Sequence, residues 1–180
     1  MSSTTDEALM RRLAAGEGEA LDLLFRRHHE RVHALCARLT HDAAAADDLV
    51  QETFLRVLRY ARSFRQQARF TTWLYRIARN LCHDHALRMT RQEPEQDAQV
   101  EPVQRDGRLD SLELALRELP ETLREALVLS RFHDLPYAEL AVVLGCSPGA
   151  ARVRVHRALN ELRKRVQELE ANDERVSTHP

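Results

Sequence analysis

Arg152, Arg154 and Arg157 crowd into LGCSPGAARVRVHRAL, residues 144–159, a stretch without an acidic residue. A guanidinium offers parallel N–H donors that match a guanine edge or a phosphate, so the chemistry on offer is recognition of bases and anions. At about 100° per residue, Ala151, Val155, Ala158, Leu159 and Leu162 gather on one side of a helix, its core face. Gly149, Val153, His156, Arg157 and Asn160 point the other way, with Arg152 and Arg154 on the flanks. In a major groove, Arg157 would donate to guanine, Val153 would touch a thymine methyl and the flanking arginines would reach phosphates. Arg163, Lys164 and Arg165 extend the positive field. An isolated helix of this kind would equally suit solvent; the residues before it favour DNA. Gly145 reads as the left-handed end of a short helix, Tyr137 to Leu144, Ser147 as the cap of the next and Pro148 as its first residue. Two helices joined by so short a turn form a helix-turn-helix.

Two further stretches carry recognition chemistry. A loop with Arg65, Arg69 and Phe70 precedes TTWLYRIARNLCHDHALR, where Thr72, Arg76, Arg79 and His83 share one side with Trp73 and Asn80 at its border. Cations beside flat aromatic rings suit opened or single-stranded DNA, which needs phosphate partners and stacking surfaces. Phe70 and Trp73 equally fit a packed core, and the pattern leaves both readings open. On AADDLVQETFLRVLR the apolar side centres on Ala46, Val50, Thr53 and Val57, leaving Asp48, Gln51, Glu52, Leu55 and Arg59 outward. A leucine ringed by polar groups is either a protein contact or an ordinary exposed leucine.

The elements that must position these residues are helices. The chain has 180 residues, 43% hydrophobic and 31% charged, with aromatics at 5% and long runs of Ala, Leu, Arg and Glu. That composition predicts a folded, all-α protein. Leu21, Leu24, Phe25, His28, Val32, Leu35 and Leu39 keep helical spacing. His41 or Asp42 can cap a second helix reaching about Tyr60, and Thr71 or Thr72 starts a third; three helices then bury one core. TRQEPEQDAQVEPVQRDG has too few large apolar residues to offset the entropy of ordering and reads as a flexible linker. Beyond it Pro120 opens or kinks a helix through Leu123, Ala126, Leu127 and Leu129. The expected organisation is two small helical domains, 1–89 and 109–170, a linker at 90–108 and a disordered tail at 171–180. The formal net charge of −1 conceals acids and bases that are segregated along the chain. No apolar run approaches membrane length and the first residues lack an apolar signal core, so the expected location is the cytoplasm, without membrane insertion. Cys36, Cys82 and Cys146 are odd in number and far apart, which favours reduced thiols.

Two alternatives involve other chemistry. His29, His33 and Cys36 have metal-like spacing on a helix, and Cys82, His83 and His85 cluster, but Cys36 falls in the apolar series with Val32 and Leu39 and reads as a buried structural cysteine. No metal or other cofactor is expected. Catalysis has no support from a phosphate-cradling glycine loop, a nucleophile elbow or an acid pair.

DDLVQETFLRVL, SFRQQARFTTWLYRIARNLCHD and LRELPETLREALVLSRFHDLPYAELAVVLGCSPGAARVRVHRAL resemble regions 2 and 4 of an extracytoplasmic-function (group 4) sigma factor of the sigma-70 family, in order and spacing, over most of residues 10 to 168. The resemblance implies a region 2 bundle that binds the clamp helices of core RNA polymerase and opens the −10 element. It also implies a region 4 helix-turn-helix that binds the polymerase flap and reads the −35 element. Asp48, Leu49, Gln51, Glu52 and Leu55 match the polymerase-binding helix. Arg65, Arg69 and Phe70 fall in the loop, 63–70, that captures an extruded −10 base, a step costing a few kcal/mol of stacking and pairing. Thr71, Thr72, Trp73, Arg76 and Asn80 match the helix beside melted DNA. Ser147, Arg152, Val153, Arg154, His156 and Arg157 match the −35 reader. The family usually has Gly-Thr-Val-Lys/Arg-Ser-Arg where this chain has Gly149, Ala150, Ala151, Arg152, Val153 and Arg154; the missing hydroxyls bear on which −35 bases are read, not on the −35 role. The resemblance further implies an anti-sigma factor as partner, and a linker resembling the segment that occupies the polymerase RNA exit path. The alternative from another class is a free-standing helix-turn-helix regulator.

Overall fold

The computed structural model describes residues 4–65, 69–90 and 107–177. Among these residues there is no strand, and the chain order is α1 (Asp6–Ala14), α2 (Glu19–Thr40), α3 (Ala43–Arg59), a 3-10 turn (Ala61–Ser63), α4 (Phe70–Met89), α5 (Gly107–Arg117), α6 (Glu121–Arg131), α7 (Tyr137–Leu144) and α8 (Pro148–Ser177). The all-α expectation holds. No helix among the described residues is long and apolar enough to cross a membrane.

The first unit has four helices where three were expected. The Thr5 side chain accepts from Ala8 N at 3.2 Å and so caps α1, whose Leu9, Met10 and Leu13 are buried. Asp6 ties α1 to α2 by accepting from Arg27 at 2.8 Å and meeting His28 Nε2 at 2.7 Å. The His28 hydrogen bond, helped by Arg27, holds the Asp6 carboxyl below its usual range against the opposing effect of burial. In α2 the buried series is Ala20, Leu24, His28, Val32, Leu35 and Cys36. His41 ends that helix in the left-handed region at φ 59°, and Asp42, not His41, caps α3 by accepting from Ala45 N at 3.0 Å. α3 buries Ala46, Leu49, Val50, Thr53, Phe54 and Val57. The Thr53 hydroxyl is satisfied by donating to Leu49 O at 2.6 Å. α4 starts at Phe70, whose N–H donates to Glu7 Oε1 at 3.0 Å. The N-terminal residue Arg69 supplies no side-chain cap, so a carboxylate from α1 takes that role at the positive end of the helix.

In the second unit Pro120 separates α5 from α6, and Arg124 Nη1 donates back to the carbonyls of Arg117 and Leu119 at 3.1 and 3.0 Å. Gly145 adopts φ 64°, where a Cβ would strain the backbone, and lets the chain turn from α7 into α8. The Ser147 hydroxyl accepts from Ala150 N at 3.2 Å, as a cap should. Leu127, Leu129 and Leu140 are fully buried, each contributing about 1.5–3 kcal/mol of apolar burial.

The linker assigned to 90–108 falls mostly outside the described residues, and α5 already begins at Gly107. At the other end α8 continues to Ser177, so residues 171–177 are helical, not a disordered tail. The reason is local: Gln167 to Val176 contains no glycine or proline and is rich in good helix formers.

The two units also meet each other along a seam in which α2 and α4 pack against α6 and α7. The His133 ring lies 4.8 Å from that of Tyr75, and the Arg38 guanidinium sits 4.4 Å over Phe132.

Candidate nucleic-acid interface

On α8 the expected division of faces is present. Ala151, Val155 and Ala158 are buried, while Ser147, Arg152, Val153, His156, Arg157 and Asn160 are exposed and Arg154 is half-buried. Val153 is an aliphatic side chain, 49% exposed, between arginines, which suits contact with a base methyl better than it suits water. The Arg152 guanidinium rests 5.2 Å from the Tyr137 ring centroid, a stacking contact that holds it at the edge of the face. Asn160 faces His156 Nδ1 at 3.4 Å and accepts from Arg163 at 3.1 Å, linking successive turns of the polar stripe. The Gly145 turn and the Ser147 cap fix where this stripe begins.

The face of α4 is different. Arg65, Arg69, Arg76 and Asn80 are exposed, and Thr71 and Trp73 are half-buried. Phe70 is fully buried, with its ring 5.3 Å from His28 and 6.3 Å from Phe64, so it is a core aromatic and not a stacking surface for a base. Trp73 packs 5.2 Å from Phe64 yet keeps part of its ring in solvent. Thr72, placed outward by helical counting, is buried because its hydroxyl donates to Glu139 Oε2 at 2.7 Å. The captured-base loop is described only at its ends, since 66–68 lie outside the described residues.

Arg79 is the residue on this face that helical counting placed in solvent and that the structure engages most fully. Its Nε and Nη2 donate to the two oxygens of Glu125 at 3.0 Å each, and the Glu125 side chain is only 4% exposed. Arg69 pairs with Glu139 at 3.0 Å, and His83 Nδ1 lies 3.2 Å from Glu121. The sequence did carry a signal of this contact. Tyr75 adds an aromatic beside the Leu74–Ala78–Leu81 stripe, more apolar surface than a helix packed on one side needs.

On α3, Asp48, Gln51 and Leu55 are exposed and Glu52 is half-buried, pairing with Arg56 at 3.0 Å. Leu55 is 54% exposed, and Leu58, one turn along the helix, is 47% exposed beside it on the surface. Leu49 is 5% exposed and belongs to the core, so it supports this face from beneath and is not part of it.

The metal-like spacings do not converge. His29 stacks on Phe25 at 4.9 Å, His33 lies 3.4 Å from Asp47, and Cys36 is buried. Among the described residues no group of three His, Cys, Asp or Glu side chains could hold a metal ion. All three cysteines are free, and the Cys36 thiol together with burial pushes the Cys82 thiol well up, away from thiolate chemistry.

The chain is similar to known proteins in both of its units. Residues 24–92 match the Sigma-70 region 2 family and residues 109–162 match Sigma-70, region 4. The chain is 31% identical to the RNA polymerase sigma-H factor of Pseudomonas aeruginosa, covering 94% of this chain and 97% of that protein. It is 38% identical to the RNA polymerase sigma factor CarQ of Myxococcus xanthus over 89% of this chain and 97% of that one. A solved structure of CnrH with the cytosolic domain of CnrY superimposes with a TM-score of 0.73 at 25% identity, covering 91% of this chain and 97% of CnrH. A free-standing helix-turn-helix regulator is not favoured, because the matches take in both units and the order between them. The chain belongs to the extracytoplasmic-function sigma factors of the sigma-70 family and directs transcription initiation as one of them.

Proposed function

We propose that this sigma factor divides its work between units spanning about 1–89 and from 109 onward. Asp48, Gln51, Glu52 and Leu55 on α3 dock on the clamp helices of core RNA polymerase, with Leu49 holding the helix from inside. Arg65, Arg69, Thr71, Thr72, Trp73, Arg76 and Asn80 engage the −10 strand as it opens, and Phe70 fixes the start of α4. Ser147, Arg152, Val153, Arg154, His156 and Arg157 read and position the −35 duplex, the second unit sitting on the flap. An anti-sigma factor that binds both units completes the set of partners, a reading supported by the likeness to CnrH, which was solved with the cytosolic domain of CnrY. The chain supplies specificity while the polymerase supplies catalysis, and its place of work is the cytoplasm.

The observation that carries this reading is the exposed Arg–Val–His–Arg face of α8, set by the Gly145 turn in the same chain as the exposed Leu55 on α3. Co-elution of purified protein with core RNA polymerase on size exclusion tests it. A stable complex that Leu55→Asp abolishes, with an unchanged melting temperature of the free variant, is the expected result. Absence of any complex with the wild-type chain would overturn the reading.

A further inference from the structure

Apart from α4, the end of α2 and the start of α3 face α5 and Phe132, the residue that ends α6, across a cavity of about 700 Å³. That volume lies within the range of about 300–1,000 Å³ in which proteins hold small molecules. Most of its wall is apolar. Ala34 and Ala37 on α2 have short side chains that leave the space open, and Leu112, Leu116 and Phe132 stand opposite. Leu112 is 40% and Phe132 44% exposed, so apolar surface of the second unit stays uncovered there. Set into this wall are Arg38, His41 and Arg117. The Arg38 guanidinium lies 4.4 Å over the Phe132 ring and donates to Ala34 O at 3.2 Å, contacts that fix its place and leave the rest of its edge for a planar anion. Arg117 is exposed, and the two arginines outweigh Glu113, the acid among the lining residues. His41 Nε2 is buried and meets no hydrogen-bond partner among the described residues, an orphan that folded proteins seldom leave. Burial, Arg124 and Arg117 push the His41 imidazole down to about 4, so it is a neutral ring in a positive field and can donate one hydrogen bond.

We propose that this cavity is a binding site for a small amphipathic carboxylate, whose apolar body lies along Leu112, Leu116 and Phe132 and whose carboxylate is held by Arg38, Arg117 and the His41 Nε2–H. Charge complementarity chooses the occupant. A carboxylate matches a guanidinium edge and gives the orphaned imidazole nitrogen an acceptor. A neutral molecule of the same shape would leave those donors unanswered, and a cation would meet two guanidinium groups of its own sign. The apolar wall supplies the rest of the affinity through area removed from water. Arg38 and His41 come from the first unit, while Arg117, Leu112 and Phe132 come from the second. The site is complete only when the two units are together, so a bound acid favours that arrangement by mass action. The cavity thereby gives a small metabolic acid a means of acting on this chain that involves neither the −10 nor the −35 face.

Isothermal titration calorimetry of the full chain tests the site with octanoate as the probe, below its micelle concentration, and with 1-octanol and octyltrimethylammonium as neutral and cationic counterparts of the same length. Octanoate should bind one molecule per chain, about tenfold more tightly than octanol, the factor expected of hydrogen bonds to a charged group. The cation should not bind. Arg38→Gln in the first unit and Arg117→Gln in the second should each weaken octanoate, by about threefold at the exposed Arg117 and more at Arg38, and leave octanol binding as it is. Arg11→Gln, which removes the same charge from α1, should change neither. Absence of saturable octanoate binding, or binding that Arg11→Gln weakens as much as the cavity variants do, would overturn the site. Octanol binding as tight as octanoate would overturn the carboxylate class. Should Arg38→Gln disturb the packing over Phe132, seen as weaker octanol binding, Arg117→Gln alone decides, and octanoate binding unchanged by it would contradict the proposal.

Discussion

Arg79 on α4 and Arg157 on α8 are both arginines on the polar stripe of a helix, yet the first is locked to a buried glutamate and the second stands in solvent. The difference lies in what the rest of each helix does. α8 satisfies its apolar side within its own unit, where Ala151, Val155 and Ala158 are buried and α5, α6 and α7 pack against it. Nothing remains on it that must be covered. α4 packs on α2 and α3 but also carries Tyr75, whose burial needs a second neighbour, and His133, between α6 and α7, supplies it. Once Tyr75 and His133 bring the units together, the polar residues of α4 must find partners in the second unit, and the glutamates provide them. Similar side-chain chemistry is thus displayed on one helix and paired within the chain on the other.

Arg79→Ala should break this contrast most strongly. It leaves Glu125 buried without its partner, a penalty of about 3–5 kcal/mol on the closed arrangement that should open the seam, read as a larger radius of gyration in small-angle X-ray scattering. The same substitution at Arg157 should leave stability within about 0.5 kcal/mol. On the open side, Arg157→Ala should weaken −35 binding by the polymerase complex by about 1–3 kcal/mol, measured by competition with duplexes altered at single −35 positions. An unchanged −35 preference would refute its base contact.

Acid should loosen the seam and spare α8. His133 is pushed down to about 4, mainly by burial and then by Arg38 and Arg31, with Asp134 opposing. His41 is pushed down to about 4 by burial, Arg124 and Arg117. Both groups have an ordinary value of 6.5, so the closed form binds fewer protons than the open form between 6.5 and 4. Their contribution to closure is complete above about pH 6.5, declines below it and is lost through pH 4, amounting to on the order of 1 kcal/mol per imidazole at a pH one unit below the ordinary value. Scattering profiles across that range should expand with falling pH, and His133→Phe should flatten the response. The smallest effect belongs to the turn before the open face: Ser147→Ala should cost about 1 kcal/mol through loss of the α8 cap, read by thermal melting.

Much of this was legible in the sequence. The Gly145 turn, the Ser147 cap and the core face of α8 follow from backbone chemistry and helical period, both local. The assignments that failed depended on distant partners. Helical period points Thr72 outward because the residue that covers it, Glu139, is far along the chain. Phe70 fits two roles by local pattern, and only Phe64 and His28, distant in sequence or across a helix, decide for the core. α1 carries a cap and an apolar stripe in Thr5, Leu9, Met10 and Leu13, but so short a helix forms only against distant parts of its unit, through Asp6 with Arg27 and His28 and Glu7 with Phe70. Leu49 matched a binding motif by position, and only its burial separates support from contact.

Transcription from genomic DNA by core RNA polymerase supplemented with this protein, with the 5′ ends of the products mapped, tests the central claim most directly. Start sites that appear only when the protein is added, and that align on a shared −10 and a shared −35 element, are the expected result. Start sites identical to those of core polymerase alone, with the protein binding a duplex operator unaided, would contradict it.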